Sequence, residues 1–284
     1  MPVKLGEVSI LTSPVSLVRI WALLSGCLTF SLAASVEHPS QLQAFKASCM
    51  GSWCLLFVLT LLITLVEFIQ FQSLVPISWK NLPVTVSALG ALVYLSTSVG
   101  FPWLLVDRGP DARAIAATIA SCLTFLAYAS ETHLLRKRSP EQRGYMASAP
   151  GLLKVFQVFG GGAMLLLVSD QCRDGRHGGW QLWLSLAMYI LCFLMSLGTV
   201  AVMICDCASR CPLPFGRLLV VFSHLGVLLY MVVTVICFTN VMSVQGTDDS
   251  DMVKTVTGSV VTCLTLLAYT VDLAFSIKLL CDRA

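Results

Sequence analysis

Charge is scarce in this chain. Asp, Glu, Lys and Arg supply only 12% of the 284 residues, against 57% hydrophobic residues, whereas soluble domains carry about 25% charged residues. The shortage excludes an ordinary water-soluble globule and points to a chain solvated by lipid. Polar connections are short too. The longest, Arg136 to Gly151, leaves no room for a soluble catalytic domain. Asn-x-Ser/Thr is absent, so no N-linked glycan can mark an outer loop. His-Glu-x-x-His, Cys-x-x-Cys and the Walker phosphate loop are absent as well, which removes the common signatures of zinc, redox and nucleotide sites. The net charge of +3 is too small to suggest nucleic-acid binding.

What the chain has is apolar length. A hydrocarbon core of about 30 Å needs about 20 mostly apolar residues in a helix. Eight stretches meet that requirement, near 16–35, 50–74, 82–106, 114–135, 152–169, 181–205, 218–241 and 254–280. The first ends in SLAAS and has the look of a signal peptide, but its repeat partner near residue 152 lies mid-chain and cannot be one.

The eight segments form two sets of four. SCLTFLAYASE (Ser121 to Glu131) returns as TCLTLLAYTVD (Thr262 to Asp272). LVRIW at Leu17 matches LLKVF at Leu152, which sets Arg19 against Lys154. LGALVY at Leu89 matches LGVLLY at Leu225, and Leu82-Pro83 matches Leu213-Pro214. Four segments agreeing in order indicate a duplication. An even number of spans per unit makes the repeat parallel, unlike the inverted halves of many transporters.

Basic residues set the expected orientation. With a cytosolic amino terminus, Lys4, Arg19, Lys80, Arg136, Lys137, Arg138, Arg143, Lys154, Arg210, Arg217, Lys278 and Arg283 fall on the cytosolic side, twelve of the eighteen Lys and Arg. Both termini are expected there. The acidic Asp248, Asp249 and Asp251 fall on the other side and are expected in a solvated turn. Arg136, Lys137, Arg138 and Arg143 are candidates for contact with anionic headgroups.

Ionisable residues within spans are costly in lipid and must find a partner or a cavity. Arg19, Glu67, Glu131, Lys154 and Asp272 qualify. Opposite charges at similar depth suggest intrabundle pairs, Arg19 with Glu131 or Glu67 and Lys154 with Asp272. The competing reading is an ion or proton pathway, weakened because the outer half of the spans offers no ionisable relay. No nucleophile paired with a base is evident among the spans, so no catalytic residue, cofactor or metal site is expected. His133 is expected at the headgroups, and His224 is expected to hydrogen-bond another helix. Glycines 160–162 offer a smooth face for close helix approach.

Most of the twelve cysteines lie inside spans, where Cys acts as a small hydrophobe. Cys49 and Cys172 approach the outer face, and whether they form a disulfide stays open. Cys205, Cys207, Cys211 and Cys281 sit at span ends and are candidates for S-acylation.

Taken together, TSPVSLVRIW with FSLAAS, SWKNLPVT, AIAATIASCLTFLAYASE, GYMASAPGLLKVFQ and LAYTVDLAFS are specific. On them the chain resembles the myeloid-associated differentiation marker family, whose members carry two tandem MARVEL domains of four transmembrane helices. The resemblance implies non-enzymatic roles in organising cholesterol-rich ordered plasma and vesicle membrane, in trafficking and in cortical attachment. The expectation is an all-α integral membrane protein with eight transmembrane helices in two parallel-repeat four-helix bundles. Residues 1–13 form a short cytosolic tail, 14–138 the first MARVEL-like domain, 139–148 a cytosolic linker and 149–284 the second domain. Its expected partners are membrane lipids and unidentified membrane or cortical proteins, with no nucleic acid. A channel or transporter using the intramembrane charges is the alternative.

Overall fold

The computed structural model describes residues 12–35, 43–70, 72, 77–105, 112–139, 142–173, 179–205, 215–243 and 249–281. Within them lie eight α-helices: α1 Pro14–Ser35, α2 Gln43–Ile69, α3 Leu82–Leu105, α4 Ala112–Arg136, α5 Ala149–Arg173, α6 Trp180–Ile204, α7 Phe215–Ser243 and α8 Asp249–Cys281. All eight contain a stretch long and apolar enough to cross a membrane. The protein is therefore an all-α, multi-pass membrane protein.

The side chains are distributed as lipid solvation requires. In α1 the buried face carries Arg19, Ala22, Ser25, Gly26, Thr29 and Ala33, while Leu17, Trp21, Leu24 and Leu28 point outward, each more than half exposed. The inside is small and polar, the outside aliphatic, the reverse of a soluble helix. Lipid already solvates leucine, so helices associate through close packing and hydrogen bonds between small and polar residues. The same division recurs in α4, where Ala117, Ser121, Thr124, Tyr128 and Glu131 are buried and Ile115, Ile119 and Leu126 are exposed.

Local signals fix several helix ends. Ser13 accepts a hydrogen bond from the Ser16 backbone N–H at 3.2 Å, an N-cap with Pro14 at the first helical position. Helix α2 stops at Ile69 because Gln70 takes φ 58, a left-handed C-terminal residue. The apolar run in the sequence suggests residue 74 instead, since hydropathy does not register a backbone reversal. Asp249 and Asp251 belong to the first turn of α8 and not to a loop. Asp248 lies outside the described residues.

The chain divides into two compact units, Met1–Ser148 and Ala149–Ala284. In the first, α1 packs on α2 and α4, and α3 packs on the same two, so the four helices close a ring. Its core stacks Trp53 on Tyr94 at 6.1 Å and Tyr94 on Tyr128 at 5.7 Å between ring centroids. Gly90 makes room for the Tyr128 ring, which a Cβ there would meet at 2.9 Å. In the second unit α5 packs on α6 and α8, and α7 packs on the same two. Tyr189, Tyr230 and Tyr269 take the corresponding core positions, with centroids 5.8 and 5.0 Å apart. Gly226 lies against the Tyr269 ring and Gly160 against Thr265, while Gly161 and Gly162 lie against Phe193.

The segment ahead of α5 is fastened to the first unit. A 3-10 turn, Tyr145–Ala147, packs on α3 and α4. Asn81 accepts a hydrogen bond from the Met146 backbone N–H at 3.1 Å, and Met146 is fully buried. Arg143 donates from its guanidinium to the Arg136 carbonyl, which satisfies an end of α4. Residues 142–148 thus form a cover on one end of the bundle.

Candidate functional site

The sequence supplies no reactive motif, so the candidate site is the set of charges inside the spans. Arg19, on α1, is 1% exposed. Its Nη1 donates to Glu67 Oε2 of α2 at 2.6 Å, and its Nε donates to Glu131 Oε1 of α4 at 2.7 Å. Nη2 also lies 2.7 Å from Glu131 Oε1. One guanidinium therefore joins three helices, and its fixed fork is what allows two carboxylates to be met at once. The sequence left the choice between Glu131 and Glu67 open. Both pair with Arg19.

The second unit solves the same problem with different chemistry. Lys154 Nζ of α5 lies 2.6 Å from Asp272 Oδ2 of α8, with side chains 4% and 0% exposed. It also donates to Ser223 Oγ of α7 at 3.1 Å, and Ser223 in turn donates to Asp272 Oδ2 at 2.5 Å. An ammonium is a compact charge that a single carboxylate can match. Counting seven residues on from the equivalent hydroxyls Thr60 and Ser196 leads to Glu67 in α2 but to Met203 in α6. The second acid is missing there, and Ser223 completes the site from another helix.

Ser223 did not stand out in the sequence. A signal was available, because it aligns with Ser87 in SALG and SHLG, ahead of the matched Gly90 and Gly226. His224, its neighbour, is exposed on the apolar face and makes no hydrogen bond among the described residues. The expected interhelical bond belongs to Ser223 instead, since one residue turns the side chain by about 100°.

Ser223 and Lys154 bring a hydroxyl and an amine together, which the sequence had not suggested. The geometry is not that of an activated nucleophile. The serine proton is directed at Asp272, the lysine donates to both partners, and Ser223 is fully buried. No substrate reaches it in this arrangement.

Buried hydroxyls extend from each charge cluster toward the opposite end of the bundle, which the survey of ionisable residues had not shown. Along α4, Tyr128 Oη lies 2.8 Å from Thr60, Thr124 donates to Ser25 at 2.9 Å, and Ser121 lies 3.3 Å from Thr97. Along α8, Tyr269 Oη lies 2.6 Å from Ser196 and Thr262 lies 2.8 Å from Tyr189 Oη. Each of these bonds runs sideways to another helix of the same bundle, those of Tyr128, Tyr269 and Thr262 crossing to the diagonal one, so the row laces helices together and does not form a continuous file along the bundle.

Most of the remaining singled-out residues lie on the surface. Arg136, Lys137, Arg138, Arg143 and His133 are exposed at the end of α4 and just beyond it. Cys205 and Cys281 are exposed at the ends of α6 and α8, whereas Cys49 is a buried free thiol and Cys172 a partly exposed one. Cys207 and Cys211 lie outside the described residues. Among the described residues, no group of three or more His, Cys, Asp or Glu is placed to hold a metal.

The chain is 32% identical over 310 residues to the myeloid-associated differentiation marker homolog of Xenopus laevis, covering 99% of both chains. It is 34% identical over 299 residues to the myeloid-associated differentiation marker of Rattus norvegicus, covering 96% of this chain and 92% of that one. It is 32% identical over 289 residues to myeloid-associated differentiation marker-like protein 2 of Homo sapiens, covering 93% and 91%. No protein-family model matches the chain, and no solved structure does.

Proposed function

The chain belongs to the myeloid-associated differentiation marker family, and from that premise we propose that it is a non-enzymatic scaffold organising cholesterol-rich ordered plasma membrane, with roles in trafficking and cortical attachment. The observation that carries this reading is the closure of both charge clusters: every ionised group singled out inside a span is matched within its own bundle by a partner at 2.6–2.7 Å. The buried charges are thereby engaged in joining three helices of each bundle, and what remains outward is aliphatic surface for lipid.

In this reading the two units are tandem MARVEL-like domains, residues 14–138 and 149–284, related as a parallel repeat. Both termini and the 136–151 segment face the cytosol, at the plasma membrane and at vesicle membranes. Arg136, Lys137, Arg138 and Arg143 then meet anionic headgroups, each contributing about 1 kcal/mol near a charged leaflet. Acyl chains on Cys205, Cys207, Cys211 or Cys281 would add hydrophobic anchoring at the same surface. Tyr128, Tyr269 and the pairs Arg19–Glu131 and Lys154–Asp272 serve as bracing.

The test is the partition of fluorescently tagged full-length protein in giant vesicles that separate into sterol-rich ordered and disordered phases. Enrichment in the ordered phase, reduced by deacylation, is expected. Exclusion from the ordered phase in acylated preparations would sink the proposal.

A further inference from the structure

We propose that Ser139 is a phosphorylation site, and that phosphate there offsets about half of the positive patch formed by Arg136, Lys137, Arg138 and Arg143. The proposal rests on the reading that this segment lies in the cytosol against anionic lipid. Two Ser-Pro pairs occur in the chain, Ser13-Pro14 and Ser139-Pro140, and the structure separates them. Ser13 is occupied as the cap of α1: its hydroxyl accepts from the Ser16 N–H and meets Ser16 Oγ at 2.8 Å. Ser139 is exposed just past α4, and its hydroxyl makes no hydrogen bond among the described residues. Its carbonyl accepts from the Gln142 N–H at 3.0 Å, which engages the backbone while leaving the side chain free.

The flanking residues suit an acceptor. Arg136 stands three residues before Ser139 and Arg138 one before, both exposed, so a kinase with acidic subsites can engage them while a proline-reading pocket takes Pro140. In the transfer, Ser139 Oγ bonds to the γ-phosphorus of a nucleoside triphosphate as the bond from that phosphorus to the β–γ bridging oxygen breaks. The diphosphate leaves, and the hydroxyl proton passes to the kinase's carboxylate base.

The consequence follows from charge. Phosphoserine carries about −1.5 to −2 at neutral pH, against four positive side chains within four residues of Ser139. Arg143 is already folded back on the Arg136 carbonyl, so its guanidinium lies at the end of α4, whose last residue stands three before Ser139. The arginines that meet lipid headgroups are redirected to a covalent anion, an electrostatic switch built on one serine. Lipid and kinase compete for the same arginines.

The test uses the full-length chain in nanodiscs, where both faces are open and membrane sidedness cannot confound the result. A proline-directed kinase that also reads arginine three residues upstream is supplied with labelled ATP. One phosphate per chain is expected at Ser139, lost in Ser139→Ala and cut at least roughly tenfold when Arg136 and Arg138 are both changed to Gln. No incorporation, or undiminished incorporation in Ser139→Ala, overturns the site. The rate is then compared between zwitterionic and anionic nanodiscs, and the anionic lipid is expected to slow it roughly tenfold by occupying the patch. Equal rates would refute the lipid contact and the switch, while phosphate at Ser139 would still be scored separately.

Discussion

Replacing Asp272 by asparagine is expected to destabilise the second bundle chiefly by stranding Lys154, and replacing both partners to recover much of the loss. The amide keeps the size of the carboxylate but not its charge, leaving Lys154 Nζ with neutral partners only, the amide oxygen and Ser223 Oγ at 3.1 Å. In water-soluble proteins, removing one partner of a buried pair costs about 3–5 kcal/mol. Interhelical polar contacts in bilayers average only about 0.6, with a maximum of about 1.7 kcal/mol, because the helices unfolded within the membrane also find partners. Both side chains here are at most 4% exposed, which places each single change at about 1–3 kcal/mol, between those bounds. Lys154→Met leaves Asp272 with Ser223 at 2.5 Å and falls in the same range. Lys154→Met combined with Asp272→Asn buries no net charge, so the double variant should lie within about 1 kcal/mol of the parent, and the coupling energy, the sum of the two single costs less that of the double, should be at least about 1 kcal/mol. The assay is a double-mutant cycle on reversible unfolding in mild detergent. Strict additivity would show that the two residues do not meet, and the account of how the bundle closes would be wrong.

In the first unit, Thr60→Val and Tyr128→Phe each remove one member of a 2.8 Å buried hydrogen bond; each should cost about 0.5–1.5 kcal/mol, and together little more than one alone, as read by the same unfolding assay. Single cysteines placed beside Lys46 or Asp249, in a background without accessible native thiols, should react with an impermeant thiol reagent on intact cells, and one beside Arg138 should not; the opposite pattern would invert the topology. Acyl-exchange mass tagging should shift the wild-type band, and changing Cys205, Cys207, Cys211 and Cys281 together to Ser should abolish the shift; an unshifted wild-type band in its native cells would remove acylation from the account.

The helices were legible because about 20 apolar residues in a row have few other uses, and the tyrosines of α4 and α8 announced themselves through the repeated LAY. The partners were harder to see. Arg19, Glu67 and Glu131 are separated by 48 and 112 residues along the chain, so depth in the membrane could suggest the pairing but not its threefold form. That form depends on the fork of an arginine and on a second acid, Glu67, which has no counterpart in α6. Ser223 was hidden because serine is common on the inner faces of these helices, and only its register with Ser87 set it apart. Asn81 was hidden for another reason: its role comes from the 3-10 turn at Tyr145–Ala147, and nothing local to SWKNLP reports a bond to a backbone amide 65 residues away.

The central claim is that the charges inside the spans brace the bundles and do not carry ions. Proton and cation flux into sealed proteoliposomes, driven by a pH or potassium gradient across the bilayer, tests it most directly. The account predicts flux equal to that of protein-free liposomes, unchanged by Glu131→Gln or Asp272→Asn. Flux above the lipid background that disappears with Asp272→Asn would contradict it and make the buried lysine and aspartate a pathway.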